Sequence, residues 1–228
     1  MNVLITGANR GIGLAFVRQY AAMGATVFAA CRNPDAATDL WHLWEKHTEH
    51  LYIVQMNVTD ADSIGAAQAN VSAQTKQLNR LINNAAIFST TPFHELTPEE
   101  SLRMFAVNSV APVMVTRTFF DMFVKDAVIC NISSNRGSIS GQIKGGLMDY
   151  AASKAALNSY TRSIAALTAE NNMKAVMIDP GWVQTRMGGE NAALTPDETV
   201  RGIINVIETL TPSQNGAFLN YDGTPHPW

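Results

Sequence analysis

The sequence predicts a single doubly wound α/β domain, in which helices cover both faces of a seven-stranded, mostly parallel sheet. Short apolar runs alternate with segments of helical length over all 228 residues, which is the order of a repeated strand-helix unit. The apolar runs are continuous, as expected for strands buried on both faces of a sheet. We find no linker, internal repeat or low-complexity tract, so residues 1–228 are predicted to form one domain.

Seven apolar segments are predicted as strands and four longer segments as helices. The strands are residues 3–6, 26–31, 51–55, 80–83, 127–133, 174–179 and 217–220, and the helices are residues 12–23, 99–123, 150–170 and 195–210. Gly24 stands where a C-terminal cap glycine is expected for the first helix. Thr97 and Thr195 each precede a proline and acidic residues, which is a typical helix start, because threonine caps free amides and proline fits the first turn.

The composition excludes several classes of protein. Charged residues make up 15% of the chain, against about 25% in an average soluble protein. The net charge of −3 gives no basic surface for a nucleic acid. No run of about 18 uncharged apolar residues is present, so no membrane span is predicted. The N-terminal residues lack the features of a signal peptide, and a cytoplasmic protein is expected.

The cysteines and a group of histidines are expected to have structural roles. Cys31 and Cys130 lie in apolar runs without Cys-x-x-Cys spacing, so we expect buried thiols in a reducing compartment. His42, His47 and His50 do not form a His-Glu-x-x-His pattern and are expected on a solvated helix face. The sequence therefore predicts no metal site.

A glycine-rich turn stands between the first predicted strand and the first predicted helix. It reads Thr6-Gly7-Ala8-Asn9-Arg10-Gly11-Ile12-Gly13. At this position a turn can present helix N-terminal amides to a pyrophosphate. Gly7 would allow the tight turn, Gly11 the close approach of the phosphate, and Gly13 the packing of helix against strand. The alternative is a tight turn with a structural role alone.

The second predicted strand ends without the acidic residue that binds the adenosine ribose of NAD. It reads Ala29-Ala30-Cys31-Arg32-Asn33, and Arg10 lies in the nearby glycine turn. Two guanidinium groups at one place suit the additional 2′-phosphate of NADP, which arginine binds in a forked geometry. NADP(H) is therefore the predicted cofactor, and the alternative is that both are ordinary surface arginines.

Tyr150 and Lys154 stand four residues apart at the start of a predicted helix, so their side chains share one face. A phenol with a pKa of about 10 is a poor acid-base group at neutral pH, and an adjacent cation or a helix N-terminus favours its ionised form. Ser134 follows the fifth strand, at the sheet edge where such folds bind ligands. This set suits a carbonyl reductase. The alternative is a surface tyrosine beside a solvated lysine, with a serine that caps a loop.

These residues form a pattern that resembles the short-chain dehydrogenase/reductase family over essentially the whole chain. The matching motifs are Thr6-Gly7-x-x-x-Gly11-x-Gly13, Asn83-Asn84-Ala85-Ala86, Asn108, Ser134, Tyr150-x-x-x-Lys154 and Pro180-Gly181. Within the family the chain is similar to the C-factor and sniffer-type carbonyl reductases, which share the sequence Gly137-Ser138-Ile139 and the ending Asp222-Gly223-x-x-x-Pro227-Trp228. The resemblance implies a Rossmann-like fold and hydride transfer between a nicotinamide cofactor and a small carbonyl or alcohol substrate.

The resemblance implies a role for each catalytic residue. Tyr150 would be the general acid or base, and Ser134 would polarise the substrate carbonyl. Lys154 would bind the nicotinamide ribose and lower the pKa of Tyr150. Asn108 would hold a water molecule that links Lys154 to solvent.

The resemblance also implies a cofactor site along the carboxyl edge of the sheet. Its predicted residues are Gly7, Asn9, Arg10, Gly11, Ile12, Gly13, Arg32, Asn33, Asn57, Val58, Asn84, Ala85, Ala86, Tyr150, Lys154, Pro180, Gly181, Val183 and Thr185. Asn57 and Val58 would border the adenine, and Val183 and Thr185 would contact the nicotinamide carboxamide. Asn57 stands where the family usually has Asp, and Ala86 where it usually has Gly; both departures are mild.

A small, mostly apolar substrate pocket is expected over the cofactor. Trp182, Met187 and Met148 could supply its walls, the loop of residues 138–147 another side, and Gly188-Gly189 a mobile lid. The alternative is that these side chains belong to ordinary core packing.

The predicted helices at residues 99–123 and 150–170 are poor in charge, and the first is apolar on more than one stripe. Family members pair these helices with a second subunit, which implies a homodimer or homotetramer; a monomer with a thick core is the alternative. The sequence thus predicts an NADP(H)-dependent reductase of small aldehydes or ketones. The alternative function is a nucleotide-sensing or signalling protein with little or no turnover.

Overall fold

In the computed structural model, which describes residues 1–141 and 146–228, seven strands of the described chain form one sheet. The strands are β1 Asn2–Thr6, β2 Thr26–Cys31, β3 Leu51–Gln55, β4 Leu78–Asn83, β5 Phe123–Ile132, β6 Lys174–Asp179 and β7 Phe218–Asn220. Their order across the sheet is β3-β2-β1-β4-β5-β6-β7, and every neighbouring pair is parallel. The predicted doubly wound α/β class is confirmed.

The helices begin and end where the local sequence provides caps. They are α1 Gly11–Ala22, α2 Thr38–Trp44, α3 Ala61–Gln74, α4 Pro98–Phe105, α5 Ala111–Thr118, α6 Met148–Thr168 and α7 Pro196–Thr209. Gly24 follows α1 with a φ of +75°, as a C-terminal cap glycine does. The Thr97 hydroxyl accepts a hydrogen bond from the amide of Glu100, and Thr195 forms a capping box with Glu198. Both predicted helix starts are confirmed.

The core consists of two apolar layers, one on each face of the sheet. Val3 and Ile5 of β1 belong to the layer that contains Phe16 of α1 and Ile203 of α7. Leu4, which lies between them, belongs to the other layer. Side chains alternate between the faces of a strand, so a strand that is apolar at successive positions contributes to both layers. The continuous apolar runs therefore arise, as predicted, from strands that are buried on both faces of the sheet.

The predicted helix at residues 99–123 differs from the structure. It consists of α4, a π-helical segment at Ala106–Val110, and α5, after which a short 3₁₀ turn leads into β5. The strand therefore starts at Phe123, four residues before the predicted start at 127. Asp126, with a φ of +68°, lies where the register between β4 and β5 shifts, and this irregularity interrupts the apolar pattern.

The expectation that three histidines share a solvated helix face is only partly correct. His42 is exposed on α2, but this helix ends at Trp44, so His47 and His50 lie beyond it. Among the described residues no cluster of histidine, cysteine or acidic side chains could hold a metal ion. In the same part of the chain, no helix is long and apolar enough to cross a membrane.

The order of the strands reverses direction between β1 and β4. Successive strands run from β1 through β2 to β3 on one side and from β4 to β7 on the other. In doubly wound sheets, a crevice opens at this switch point, beyond the carboxyl ends of the strands. The fold therefore directs the loops after β1 and β4 to one candidate site.

Candidate active site

The glycine turn after β1 lies at the switch point and has almost no free space at two of its glycines. Gly7 has a φ of +64°, and a Cβ atom there would lie 2.9 Å from the Cα atom of Ala85. A Cβ atom on Gly13 would overlap the carbonyl oxygen of Gly7. Glycine is therefore required at both positions, and the backbone of the turn stays open on its outer side. This arrangement agrees with the predicted roles of Gly7 and Gly13.

Asn84 holds the glycine turn against the loop that follows β4. Its side-chain amide donates hydrogen bonds to the carbonyl oxygens of Thr6, at 2.9 Å, and Gly7, at 3.1 Å. The Thr6 hydroxyl in turn accepts from the backbone amides of Asn84 and Ala85. The motif after β4 therefore does more than border the crevice, because it fixes the conformation of the turn.

The segment after β6 closes the other side of the crevice. A Cβ atom on Gly11 would lie 3.2 Å from the Cγ2 atom of Thr185, so the glycine turn and this segment are in near contact. Gly188 has a clear steric role, since a Cβ atom there would overlap the carbonyl oxygen of Val183. Its amide donates to the Thr185 hydroxyl at 3.1 Å and its carbonyl accepts from Trp182. Packing thus accounts for Gly188 without the predicted mobile lid.

The crevice brings most of the predicted cofactor residues to one sheet edge. The half-buried members are Gly7, Asn9, Gly11, Ile12, Asn57, Val58, Asn84, Ala85, Ala86, Pro180, Gly181 and Thr185. Val183 is buried. The Asn57 side-chain oxygen accepts hydrogen bonds from the Thr59 hydroxyl at 3.0 Å and from the Thr59 amide at 3.4 Å, so both of its lone pairs are engaged within the protein.

The two arginines that predict NADP(H) lie at adjacent turns. Thr6 pairs with Ala30 in the sheet, and the Ala8 amide donates to the Ala30 carbonyl at 3.0 Å, which places the glycine turn beside the end of β2. Arg10, Arg32 and Asn33 are exposed. Within the described part of the chain, the salt bridges involve other arginines. Both guanidinium groups are therefore available to an anionic ligand.

Ser134, Tyr150 and Lys154 come together at the ends of β5 and α6. Ser134 caps a short turn, and its hydroxyl accepts from the amide of Arg136 at 3.1 Å. Tyr150 and Lys154 are buried in the first turns of α6, and the Lys154 ammonium lies 5.9 Å from the centre of the Tyr150 ring. The Lys154 Nζ atom donates to the carbonyl oxygen of Ile132 at 2.7 Å. The predicted proximity of the three side chains is thus present in the structure.

The pKa of Tyr150 moves in the opposite direction to the one expected. This pKa is raised to about 12, chiefly by burial; a hydrogen bond with Ser134 opposes the rise and the Asp179 carboxylate adds to it. Burial also lowers the pKa of Lys154 to about 8. Desolvation disfavours the charged form of each group, and it outweighs the attraction between phenolate and ammonium. The structure therefore holds Tyr150 as a phenol, the form that can donate a proton.

Asn108 lies in the π-helical segment and contacts the loop after β4. Its side-chain oxygen accepts from the Ile87 amide at 2.9 Å, and its side-chain nitrogen donates to the Ile87 carbonyl at 2.9 Å and the Ser153 hydroxyl at 3.1 Å. Single π-turns often occur at functional sites. The side chain of Asn108 thus holds the loop in place, and the water expected at this residue stays a prediction.

One aromatic side chain packs against the ring of Tyr150. Phe88 packs edge-on against the tyrosine ring with the ring centres 5.0 Å apart, a contact that the sequence analysis did not predict. Trp182, Met187 and Met148 are exposed apolar side chains and available as pocket walls. Residues 142–145 of the predicted 138–147 loop, which include Gly145, lie outside the described residues.

Two further groups at the site have no role in the predictions from the sequence, although Asn83 belongs to one of the matching motifs. Asn83 is buried and donates to the side-chain oxygen of Asn131 at 2.8 Å, and Asn131 donates to Thr161 at 2.8 Å. This chain of side chains joins β4, β5 and α6 beneath the crevice. The Asp179 carboxylate, at the end of β6, accepts from the Asn135 amide at 2.9 Å. A polar residue at the end of a buried strand was the available signal for both.

A glycine cradle at the switch point, with a serine, a phenol and a buried lysine beside it, is the arrangement of a dinucleotide-dependent oxidoreductase. The profile of the short chain dehydrogenase family matches residues 1–194. The chain belongs to this family, and the predicted family resemblance is confirmed.

Solved structures and curated proteins provide more specific similarities. Over its whole length, the chain is 38% identical to the NADPH-bound carbonyl reductase from chicken fatty liver, covers 98% of that chain and superposes with a TM-score of 0.94. The carbonyl reductase Sniffer of D. melanogaster is 32% identical, with 100% of this chain and 99% of that one covered and a TM-score of 0.93. The C-signal protein of Myxococcus xanthus is 34% identical over 157 residues, which span 68% of this chain and 95% of that protein.

Proposed function

We propose that this protein is an NADP(H)-dependent reductase of small aldehydes or ketones, with Tyr150 as the proton donor. The observation that carries the proposal is the convergence of Ser134, Tyr150 and Lys154 beside the glycine turn, at the switch point of the sheet. The similarity to an NADPH-bound carbonyl reductase supports it.

The residues of the crevice fit a dinucleotide. Cβ atoms at Gly7 and Gly13 would clash with backbone atoms, so the turn can take its tight conformation only with glycine at these positions, and the N-terminus of α1 suits the pyrophosphate. Arg10 and Arg32 would bind the 2′-phosphate, and Thr185 would border the nicotinamide. When bound, the reduced cofactor supplies the hydride for carbonyl reduction.

The protein's own side chains would orient the carbonyl group and supply the proton. The Ser134 hydroxyl donates a hydrogen bond to the substrate oxygen and orients the carbonyl group. As negative charge develops on this oxygen, Tyr150 transfers its hydroxyl proton to it. The raised pKa of about 12 keeps the phenol protonated at neutral pH, so the resting site is prepared for reduction. Lys154 would bind the ribose and would place a positive charge near the phenolate that remains.

The surroundings of Tyr150 favour a small apolar substrate. Phe88 offers aromatic surface beside the phenol, the exposed Trp182 and Met148 are candidates for the pocket walls, and binding to such surface is driven by removal of apolar area from water. We propose a cytoplasmic location, because Cys31 and Cys130 are both free and buried, as expected in a reducing compartment.

We also propose that the protein forms a homodimer or homotetramer. Asn108 and Ser109 both hydrogen-bond to Ser153, so the helical segments around them lie side by side. These segments expose large apolar side chains to solvent, among them Leu102 at 70%, Val110 at 41%, Met114 at 37%, Tyr160 at 43% and Leu167 at 74%. Apolar surface of this kind on adjacent helices is typical of a protein interface.

The test compares native protein with Tyr150→Phe in NADPH oxidation assays on a panel of aldehydes, ketones and diketones. Loss of the proton donor should lower kcat by about 10²–10⁴-fold, while NADPH affinity, measured by cofactor fluorescence, should change little. The result against the proposal is a native protein that binds NADPH but oxidises it no faster than the variant with every carbonyl tested. That result would favour the nucleotide-sensing alternative.

A further inference from the structure

Phe88 packs against the ring of Tyr150, and the proposed reaction gives this side chain no role. The two ring centres lie 5.0 Å apart and the ring planes make an angle of 79°, which is the edge-to-face arrangement that aromatic pairs favour. Phe88 lies in the loop that follows β4 at the carboxyl edge of the sheet. The side chain is half-buried, so part of its aromatic surface remains open to a ligand.

Hydrogen bonds fix the backbone on both sides of Phe88. The preceding Ile87 is held by Asn108, whose side chain accepts from the Ile87 amide and donates to the Ile87 carbonyl, each at 2.9 Å. Beyond Phe88, the Thr91 hydroxyl donates to the Glu100 carboxylate of α4 at 2.6 Å. The aromatic ring is therefore carried by an anchored segment of the loop.

Helix α4 also anchors the segment that carries Tyr150. The Ser101 hydroxyl donates to the Asp149 carboxylate at 2.8 Å, and Asp149 directly precedes Tyr150 in the first turn of α6. Glu100 and Ser101 are neighbours in the first turn of α4. One turn of helix thus holds the segments of both aromatic side chains, which makes the edge-to-face pair a preorganised part of the site.

The proton transfer defines where a substrate lies relative to this pair. A carbonyl oxygen that receives the Tyr150 proton must lie within hydrogen-bond distance of the phenol, so the group on the carbonyl carbon lies close to the phenol and to its neighbours. An aromatic group packs on a phenylalanine ring more favourably than its buried area alone explains, because the two ring quadrupoles complement each other. A Phe88 that only packs on Tyr150 would give no preference between flat and saturated substrates.

We propose that Phe88 is a specificity-determining residue of this site, which forms an aromatic wall beside Tyr150 and selects carbonyl compounds with a flat aromatic group on the carbonyl carbon. The inference rests on the proposed function and narrows its substrate class to aryl aldehydes and aryl ketones. The preference comes from contact between the substrate ring and the Phe88 ring, since Phe88 takes no part in hydride or proton transfer.

The test compares benzaldehyde with cyclohexanecarbaldehyde, which has the same carbon skeleton but a saturated ring. The kcat/KM values for both aldehydes are measured with NADPH for the native protein and for Phe88→Leu, and their ratio is compared between the proteins. This comparison removes the intrinsic difference in reactivity between the two aldehydes. The preference for benzaldehyde should fall by roughly three- to tenfold in Phe88→Leu, the value of one aromatic contact, and Phe88→Tyr should retain it. Partial loss of folded protein lowers both kcat/KM values alike, so the ratio reports on the folded fraction.

Phe93→Leu is the matched control. It makes the same substitution further along the loop, at a side chain that is 67% exposed and that packs against the ring of His94. The ratio of the two kcat/KM values should therefore stay at the native value in this variant.

A second measurement does not depend on turnover. Benzamide and cyclohexanecarboxamide differ in the same ring but carry an unreactive carbonyl group, and calorimetry in the presence of NADP⁺ measures their binding. The ratio of the two dissociation constants should change by the same factor in Phe88→Leu, again roughly three- to tenfold against the aromatic amide.

An unchanged aldehyde ratio in Phe88→Leu, or an equal fall in Phe93→Leu, would overturn the role of Phe88 in specificity. Failure of the proposed function gives a different result, in which the native protein shows no Tyr150-dependent NADPH oxidation with either aldehyde. In that case the preference for benzamide would still depend on Phe88 in the calorimetric measurement.

Discussion

At the scale of single residues, Arg10 and Arg32 are the proposed determinants of which dinucleotide binds in the crevice. The hydrogen bond from the Ala8 amide to the Ala30 carbonyl brings the two turns that carry them together. A carboxylate at the end of β2 would bind ribose hydroxyls and repel a phosphate. Here the exposed Arg32 and Asn33 occupy that end, and a guanidinium group can bind a phosphate through two parallel hydrogen bonds.

Arg32→Asp should therefore weaken NADPH binding much more than NADH binding. Charge-assisted hydrogen bonds contribute about 1.5–3 kcal/mol each, so the NADPH dissociation constant should rise by at least tenfold, and NADH binding should change little. Cofactor fluorescence titration measures both constants. Arg201→Asp, at an exposed position of α7, makes the same change in net charge and serves as the control. Equal losses for both cofactors would contradict the assignment of Arg32.

The identity of the reacting residues could be predicted from the sequence, but their protonation could not. The spacing of Tyr150 and Lys154 indicates that they are neighbours, and this holds in the structure. The direction of the Tyr150 pKa depends on burial and on Asp179, which follows this tyrosine by 29 positions in the chain. Desolvation is a property of the packed site, so no local pattern of residue types reports it.

At the scale of elements, Gly13 of α1 and Gly65 of α3 differ in how closely neighbouring atoms surround them. Gly13 of α1 packs directly against the backbone of the glycine turn, whereas a Cβ atom on Gly65 of α3 would meet no atom within 4 Å. Both lie within helices, so the intrinsic helix propensity of the two positions is comparable. A comparison of alanine substitutions at the two positions therefore measures the effect of packing α1 against the glycine turn.

Gly13→Ala should destabilise the protein and weaken NADPH binding, and Gly65→Ala should stabilise it. Forcing a methyl group against the Gly7 carbonyl should cost roughly 1–3 kcal/mol, and the shift of α1 would distort the pyrophosphate site. At Gly65, alanine should add about 0.5–1 kcal/mol, because glycine loses more backbone entropy in a helix. Urea unfolding and cofactor titration measure both effects. Equal stability changes in the two variants would show that Gly13 is not constrained by packing.

The elements that the sequence predicted least well are those fixed by distant contacts. The strands and the starts of α1, α4, α6 and α7 follow from local patterns and are placed within a few residues of the structure, whereas α2 and α3 are absent from the predicted helices. In the π-helical segment Ala106–Val110, the side chain of Asn108 forms hydrogen bonds with Ile87, 21 positions earlier in the chain. The side chain of Asn84 fixes the glycine turn through a hydrogen bond to Thr6, 78 positions earlier. Such contacts form only after the strands have assembled, so periodicity alone does not predict them.

At the scale of the whole molecule, the low content of charge follows from the two-layer core and from the surface of the helices. Both faces of the parallel sheet are covered, by α1 and α7 on one side and by α3, α5 and α6 on the other. This architecture buries most strand positions, so most charged residues lie on helix faces and loops. The proposed interface between copies of this chain would account for the exposed apolar side chains of α5 and α6.

The native mass in solution should therefore be two or four times the chain mass of 24.7 kDa. Placing a charge in a desolvated interface is unfavourable, so Met114→Glu and Leu167→Glu should each shift the protein towards the monomer. Met23→Glu, at an apolar position that is 56% exposed beyond the end of α1, is the matched control and should keep the native mass. Light scattering coupled to gel filtration measures all four proteins. If the native protein runs as a monomer at every concentration, the exposed apolar residues of α5 and α6 are ordinary surface, and the low charge reflects the double-faced core alone.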